Sequence, residues 1–331
     1  MCAKARKQMK ALAVEGLAKR FDGVQAVSHV SFEVSEGELF GFLGPNGAGK
    51  TTTINMLTGL ARPDAGSIRI AGIDCTRNPK AAQHLIGVVP DESNLYPELT
   101  GFENLSFCAA LYGMRKNQRQ NRAHELLSTF GLTEAGDRKF SGYSKGMKRK
   151  LTIAAGIIHQ PRILFLDEPT TGIDVASARQ IRQLIADLHH TGTTVFLTTH
   201  YIEEAERLCS RIAFIVQGKI IRTDTVSNLI APVQGKHVLQ LTVEHAQAGL
   251  KQELVDQFPK LTFSDPGRGM IRVEADEPVR VGPLVRFLED RGIEVKEARR
   301  MRLSLEDVFV EITGIEADAL KGEKEKKGNR R

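Results

Sequence analysis

The run Gly44-Pro45-Asn46-Gly47-Ala48-Gly49-Lys50-Thr51 can close around a phosphate. Its glycines leave backbone N–H groups unobstructed, and a helix opening at its end adds a dipole and free donors. Lys50 supplies a point charge between a β- and a γ-phosphate, the Thr51 hydroxyl can ligand Mg²⁺, and Thr52 can bond another phosphate oxygen. A second cluster, Asp167-Glu168, ends the apolar run Ile163-Leu164-Phe165-Leu166. Carboxylates at the carboxyl end of a buried strand lie where open α/β sheets bind ligands. There Asp167 suits Mg²⁺, and Glu168 suits a base or water-orienting group for attack on a γ-phosphate. Each cluster alone has a plainer reading: a chance Gly-rich turn for the first, and two carboxylates that merely cap the next turn for the second. Together they predict hydrolysis of a nucleoside triphosphate.

Positioning these groups requires an α/β fold. Residues 11–232 alternate short apolar runs with helical patterns, as a largely parallel sheet demands. The buried strands are predicted at Leu39–Leu43, Ile86–Val89, Ile163–Leu166 and Val195–Leu197, with helices at Lys50–Leu60, Val175–His190 and Ile202–Leu208. A mostly helical insert, Gly101–Gln160, separates the second and third strands. After Ala231–Gly235 the pattern resets to β-α-β-β-α-β over residues 236–315, the split βαβ order of a small α+β, ferredoxin-like domain. Its predicted turn is Asp265-Pro266-Gly267, and Ser304 with Asp307 starts a last helix.

Bulk properties exclude other classes. With 331 residues, 41% apolar and 26% charged, the chain has material for two globular domains. No apolar run approaches the roughly 18 residues of a membrane span, and no sustained apolar segment follows the basic start as in a secretory signal. Cys2, Cys75, Cys108 and Cys209 are scattered, which suits a reducing compartment and argues against a disulfide framework or zinc site. The net charge of +6 comes from the ends: residues 1–10 carry +4 and 321–331 another +4, so the body is at −2. The tails, 1–10 and 316–331, are read as solubilising and disordered rather than as a specific nucleic-acid surface.

The order of motifs resembles the ATP-binding-cassette family over residues 11–232. Tyr143-Ser144-Lys145-Gly146-Met147 stands where the family has its signature, Thr170-Thr171-Gly172-Ile173-Asp174 where it has a dimer-contacting loop, and His200 where it has a lone histidine after the next strand. The resemblance implies a P-loop cassette with a RecA-like core, an antiparallel β subdomain and an α-helical subdomain. It also implies that His200 senses the γ-phosphate of ATP, that Phe21 stacks on adenine, and that Ser144 and Gly146 reach the nucleotide of an opposite subunit. Two plainer readings stand beside these: core packing for Phe21 and a helix N-cap for Asp174.

This chain departs from the family in three places. Asp91, in Val89-Pro90-Asp91-Glu92, replaces a glutamine; a carboxylate can ligand Mg²⁺ but cannot donate a hydrogen bond to the attacking water. Lys145 and Met147 replace the usual Gly and Gln. The signature variant, Leu95-Tyr96-Pro97-Glu98-Leu99-Thr100 and Ser304–Phe309 resemble the bacterial exporter branch of drug-, sodium-, polysaccharide- and lipid-efflux ATPases. That branch implies a separate transmembrane permease, docked near Leu95–Tyr112, a second ATP-binding subunit in a homodimer, and a place on the cytoplasmic face of the inner membrane. The competing class, a soluble cassette protein of regulation, DNA repair or translation, fits less well. Repair members insert long coiled coils and translation members carry two cassettes; this sequence has neither.

Overall fold

The computed structural model describes residues 9–232, 237–244, 249–267, 269–301 and 304–315. The expected disordered tails therefore lie largely outside the described residues. Lys10, assigned to the first tail, instead begins a strand. The chain divides into two compact units, the first running to Val226 and resuming at Thr313, the second spanning Ser227–Ile312.

The first unit runs β1 (Lys10–Phe21), β2 (Val24–Ser35), β3 (Leu39–Leu43), α1 (Lys50–Leu57), β4 (Ala65–Ile70), β5 (Ile73–Asp74) and β6 (Ile86–Val89). The insert follows as α2 (Gly101–Leu111), α3 (Lys116–Thr129) and α4 (Lys145–Gly156). Then come β7 (Ile163–Asp167), α5 (Val175–His190), β8 (Thr194–Thr199), α6 (Ile202–Leu208), β9 (Arg211–Val216) and β10 (Lys219–Thr225). One sheet has the order β2-β1-β4-β5 and is antiparallel; the other has the order β10-β9-β3-β8-β7-β6, parallel from β9 to β6. Every residue of β3, β7 and β8 is buried, which explains why these strands are apolar on both faces. The two sheets share one core. Phe32 of β2 stacks on Phe40 of β3 and Phe196 of β8, each with ring centroids 5.7 Å apart. Such pairs add about 0.5–1.5 kcal/mol each beyond the area they bury.

The second unit contains α7 (Val226–Ile230, all but its first residue), β11 (His237–Val243), α8 (Leu250–Gln257), β12 (Thr262–Gly267), β13 (Met270–Ala275), α9 (Val281–Glu289), β14 (Val295–Met301) and α10 (Leu305–Thr313, all but its last residue). Its antiparallel sheet has the order β12-β13-β11-β14, the ferredoxin-like arrangement, over a core that includes Leu239, Leu241, Val273, Leu284 and Leu288. The turn expected at 265–267 is instead the end of β12, where Gly267 pairs with Met270 after a register shift. An edge strand tolerates Pro266 because no neighbour needs its missing N–H. At the start of α10 the Ser304 hydroxyl accepts from Glu306 N–H at 3.3 Å, and the Ser304 N–H donates to Asp307 Oδ2 at 2.9 Å.

Candidate active site

The sheet order places four loops side by side. Strands β3, β8, β7 and β6 are neighbours, and their carboxyl ends lead into Gly44, His200, Glu168 and Asp91 respectively. All the predicted one-subunit residues except Phe21 thus converge on one edge, as the rule for open α/β sheets requires.

The phosphate loop is held by backbone packing. Gly44 N–H donates to Thr199 O at 3.3 Å and Ala48 N–H to Pro45 O at 3.2 Å; Gly218 N–H donates to Ala48 O at 2.9 Å. A side chain on Gly44 would put its Cβ 2.1 Å from Ile215 O. Gly49, at φ 101°, would put one 2.5 Å from Ala26 O, so both the conformation and the space demand glycine. Pro45, Asn46 and Gly47 form the more open rim, and Thr51 and Thr52 start α1. Lys50 is 5% exposed. Its ammonium donates to Gly44 O at 2.8 Å and Pro45 O at 3.0 Å, and pairs with Glu168 Oε1 at 3.0 Å.

Glu168 is the hub of the acidic side. Its other oxygen meets His200 Nδ1 at 2.6 Å and the Thr171 hydroxyl at 2.8 Å. Burial pushes its carboxyl up, but His200, Lys50 and Thr171 outweigh that and hold it down at about 2. It is therefore an anion at neutral pH, and His200 donates through Nδ1, leaving Nε2 for a further partner. Asp167 differs: burial raises its carboxyl despite hydrogen bonds from Thr198 and Thr51, and nearby Glu168 and Asp91 raise it further. Thr198 Oγ1 lies 2.5 Å from Asp167 Oδ1.

Asp91 enters through a residue the sequence reading missed. Arg149 of α4 is 7% exposed; it donates to Pro90 O at 2.6 Å and Asp91 O at 2.5 Å, and approaches the Asp91 carboxylate at 3.7 Å. Lys148 and Lys150 flank Arg149, so residue type did not single it out. Its helical phase could have, since Gly146, Arg149 and Thr152 share one buried face. Thr170 and Thr171 were read only as part of a dimer-contacting loop and Thr198 only as a strand residue, so their hydroxyl contacts to Glu204, Glu168 and Asp167 were not foreseen.

Phe21, Ser144 and Gly146 sit apart from this cluster. Phe21 ends β1 and is 48% exposed, with Lys19 Nζ 5.2 Å from its ring centroid, so core packing is not its role. Ser144 is the exposed N-cap of α4, accepting from Met147 N–H at 3.3 Å. Gly146 is buried against α5, where a Cβ would lie 2.5 Å from Ser177 Oγ. Asp174 is indeed an N-cap, accepting from Ser177 N–H at 2.9 Å.

The test for Mg²⁺ is the donor set. Asp167, Asp91 and Glu168 place three carboxyls near one another, and the Thr51 hydroxyl touches Asp167, so negative charge is in excess where a divalent cation would relieve it. Among the described residues no group of three or more His, Cys, Asp or Glu side chains could hold a metal by itself. That suits an ion which takes one or two carboxylates and completes its shell with water and phosphate oxygens.

Comparisons with known proteins bear on the chain's family and fold. The pattern of the family described as "ABC transporter" matches residues 27–171. The chain is 38% identical over 311 residues to the daunorubicin/doxorubicin resistance ATP-binding protein of Streptomyces peucetius, covering 93% of this chain and 94% of that one. The linearmycin resistance ATP-binding protein of Bacillus subtilis is 43% identical over 232 residues, 70% of this chain and 75% of its own length. A solved dimeric ATP-binding cassette in a post-hydrolysis state, bound to ADP and phosphate, superposes with a TM-score of 0.60 at 27% identity, covering 65% of this chain and 98% of that one. Among the described residues no helix is long and apolar enough to cross a membrane.

Proposed function

The chain belongs to the ABC transporter family, and from that premise we propose how its residues perform the family's work. It is the ATP-binding, ATP-hydrolysing subunit of an exporter-type ABC transporter. The observation that carries the residue roles is the convergence of Lys50, Asp167, Glu168 and His200 on one buried edge. The loop Gly44–Thr52 wraps the phosphates, and Phe21, with its exposed ring, stacks on adenine. ATP draws Lys50 from Glu168 onto a phosphate oxygen. That frees Glu168 Oε1 to orient the attacking water and take its proton. His200 Nε2 faces the γ-phosphate while Nδ1 stays on Glu168. Mg²⁺, when bound, neutralises phosphate charge, with Thr51, Asp167 and Asp91 as its protein-side ligands. Phosphoryl transfer needs this positioning and charge neutralisation more than covalent chemistry.

Ser144 and Gly146 complete the nucleotide site of an opposing copy, so two ATP molecules close a homodimer and hydrolysis releases it. The partner that uses the stroke is a separate transmembrane permease on the inner membrane, whose cytoplasmic face holds the ATPase. Tyr96, just before the helical insert, and Phe107, Leu111 and Tyr112 on it offer the permease exposed apolar side chains. ATPase activity of the purified chain together with that membrane protein tests this reading. A stable complex that binds Mg-ATP without turnover would sink it.

Two narrower expectations follow. Asp91→Ala loses most of the activity, most severely at low Mg²⁺, while Asp91→Gln keeps a substantial part; equal activity of Asp91→Ala and the unaltered chain across a magnesium titration would exclude the ligand role. The second unit acts as an accessory domain. A chain ending at Gly235 is expected to fold and bind ATP, as a melting curve with and without nucleotide would report, because the site and its core lie wholly in the first unit. Failure of that chain to fold would mean one continuous core.

A further inference from the structure

Glu168 has a left-handed backbone, φ 48°, which costs a non-glycine residue free energy and persists only where neighbours hold it. Some of the restraints come from the neighbouring strand β8 and from its own turn: its N–H donates to Thr198 O at 3.1 Å and faces Thr198 Oγ1 at 3.2 Å, and Thr171 N–H donates back to Glu168 O at 3.2 Å. Another comes from a residue with no part in the chemistry above. Glu204, on α6, is 3% exposed, and the Thr170 hydroxyl donates to its Oε1 at 2.8 Å. Its Oε2 is buried with no hydrogen-bond partner among the described residues. Burial pushes this carboxyl up, against the hydroxyls of Thr199 and Thr170. An apolar side chain would fill the same space without burying an unsatisfied oxygen, so filling space does not explain a carboxyl here.

The adjacent threonines face two acids. Thr170 holds Glu204, and Thr171 holds Glu168 Oε2, where His200 also arrives. One short segment, His200 to Glu204, therefore grips the 168–171 turn at two points. We propose that Glu204 is a positioning residue for ATP hydrolysis, fixing through Thr170 the strained turn that aims the Glu168 carboxylate. The proposal rests on the role given to Glu168 above.

The test uses the full chain with its membrane protein and measures kcat and KM for ATP. Glu204→Ala and Thr170→Val are each expected to lower kcat about ten- to a hundredfold, the scale of a catalytic group displaced by about 1 Å, with little change in KM. Glu204→Gln still offers Thr170 an acceptor and recovers most of kcat. Because both truncations break one hydrogen bond, the double variant is expected to be no worse than the poorer single one. Should Glu204→Ala not fold, Thr170→Val, which exchanges a hydroxyl for a methyl of similar size, decides alone. An inactive Glu168→Gln beside a fully active Thr170→Val overturns the proposal and leaves the reading of Glu168 intact. A fully active Glu168→Gln overturns that reading and the proposal with it.

Discussion

Glu168→Gln is expected to bind Mg-ATP and hydrolyse it at least about a hundredfold more slowly, the usual scale for loss of a positioned base. The amide keeps the size of the side chain and can still bond His200 and Thr171, so the loop should survive. What it loses is the anion that Lys50 faces at 3.0 Å and that can accept a proton from water. With the γ-phosphate retained, the contacts between subunits persist, and the chain should shift to a stable dimer in ATP and Mg²⁺. If the proposed composite site holds, adding Ser144→Arg should destroy that dimer, because bulk and charge would enter at the exposed N-cap of α4. ATP binding by the single subunit should remain, since Ser144 sits apart from the Lys50 cluster. Light scattering with and without ATP reads both outcomes. A Glu168→Gln chain that binds ATP yet stays monomeric, even beside its membrane protein, would refute the composite site.

Lys50→Ala should abolish hydrolysis, again by about a hundredfold or more, the cost of removing one electrostatic group aimed at developing charge. The structure adds a second consequence. Lys50 is one of the groups that hold the Glu168 carboxyl down at about 2, and that carboxyl should rise without it. The sign follows from linkage: a carboxyl lower in the folded chain than its ordinary 4.5 stabilises the fold above that pH, and this contribution disappears as pH falls toward 2. Lys50→Ala should therefore show a smaller loss of stability on acidification through that range, measured by urea melts at several pH values. Unaltered ATPase activity in this variant would mean that the phosphate loop has been misread.

Much of the site was legible because its signals are local. A glycine loop before a helix, two carboxylates after four apolar residues, and strands apolar on both faces each follow from backbone geometry within a few positions. The ferredoxin-like order was legible for the same reason, whereas the end of β12 was not. There Pro266 looked like a turn, and its place on a sheet edge makes it tolerable in a strand. Arg149 and Glu204 were illegible because their meaning depends on burial. A lysine-flanked arginine and one glutamate among Glu203, Glu204 and Glu206 look like a solvated helix face until packing buries one of each.

The linear chain determined which chemistry was available: a phosphate loop at 44–51, a buried pair of acids at 167–168 and a histidine at 200, each placed by its own strand-to-loop pattern. Only the tertiary structure decided how they meet. The sheet order β3-β8-β7-β6 inserts the strand ending at His200 between those ending at the phosphate loop and at Glu168. Strand order arises from pairing among segments far apart in sequence, to which local periodicity is blind. The charge state of Glu168 is likewise a tertiary result, because Lys50 and His200 reach it only once all three are buried on the same edge.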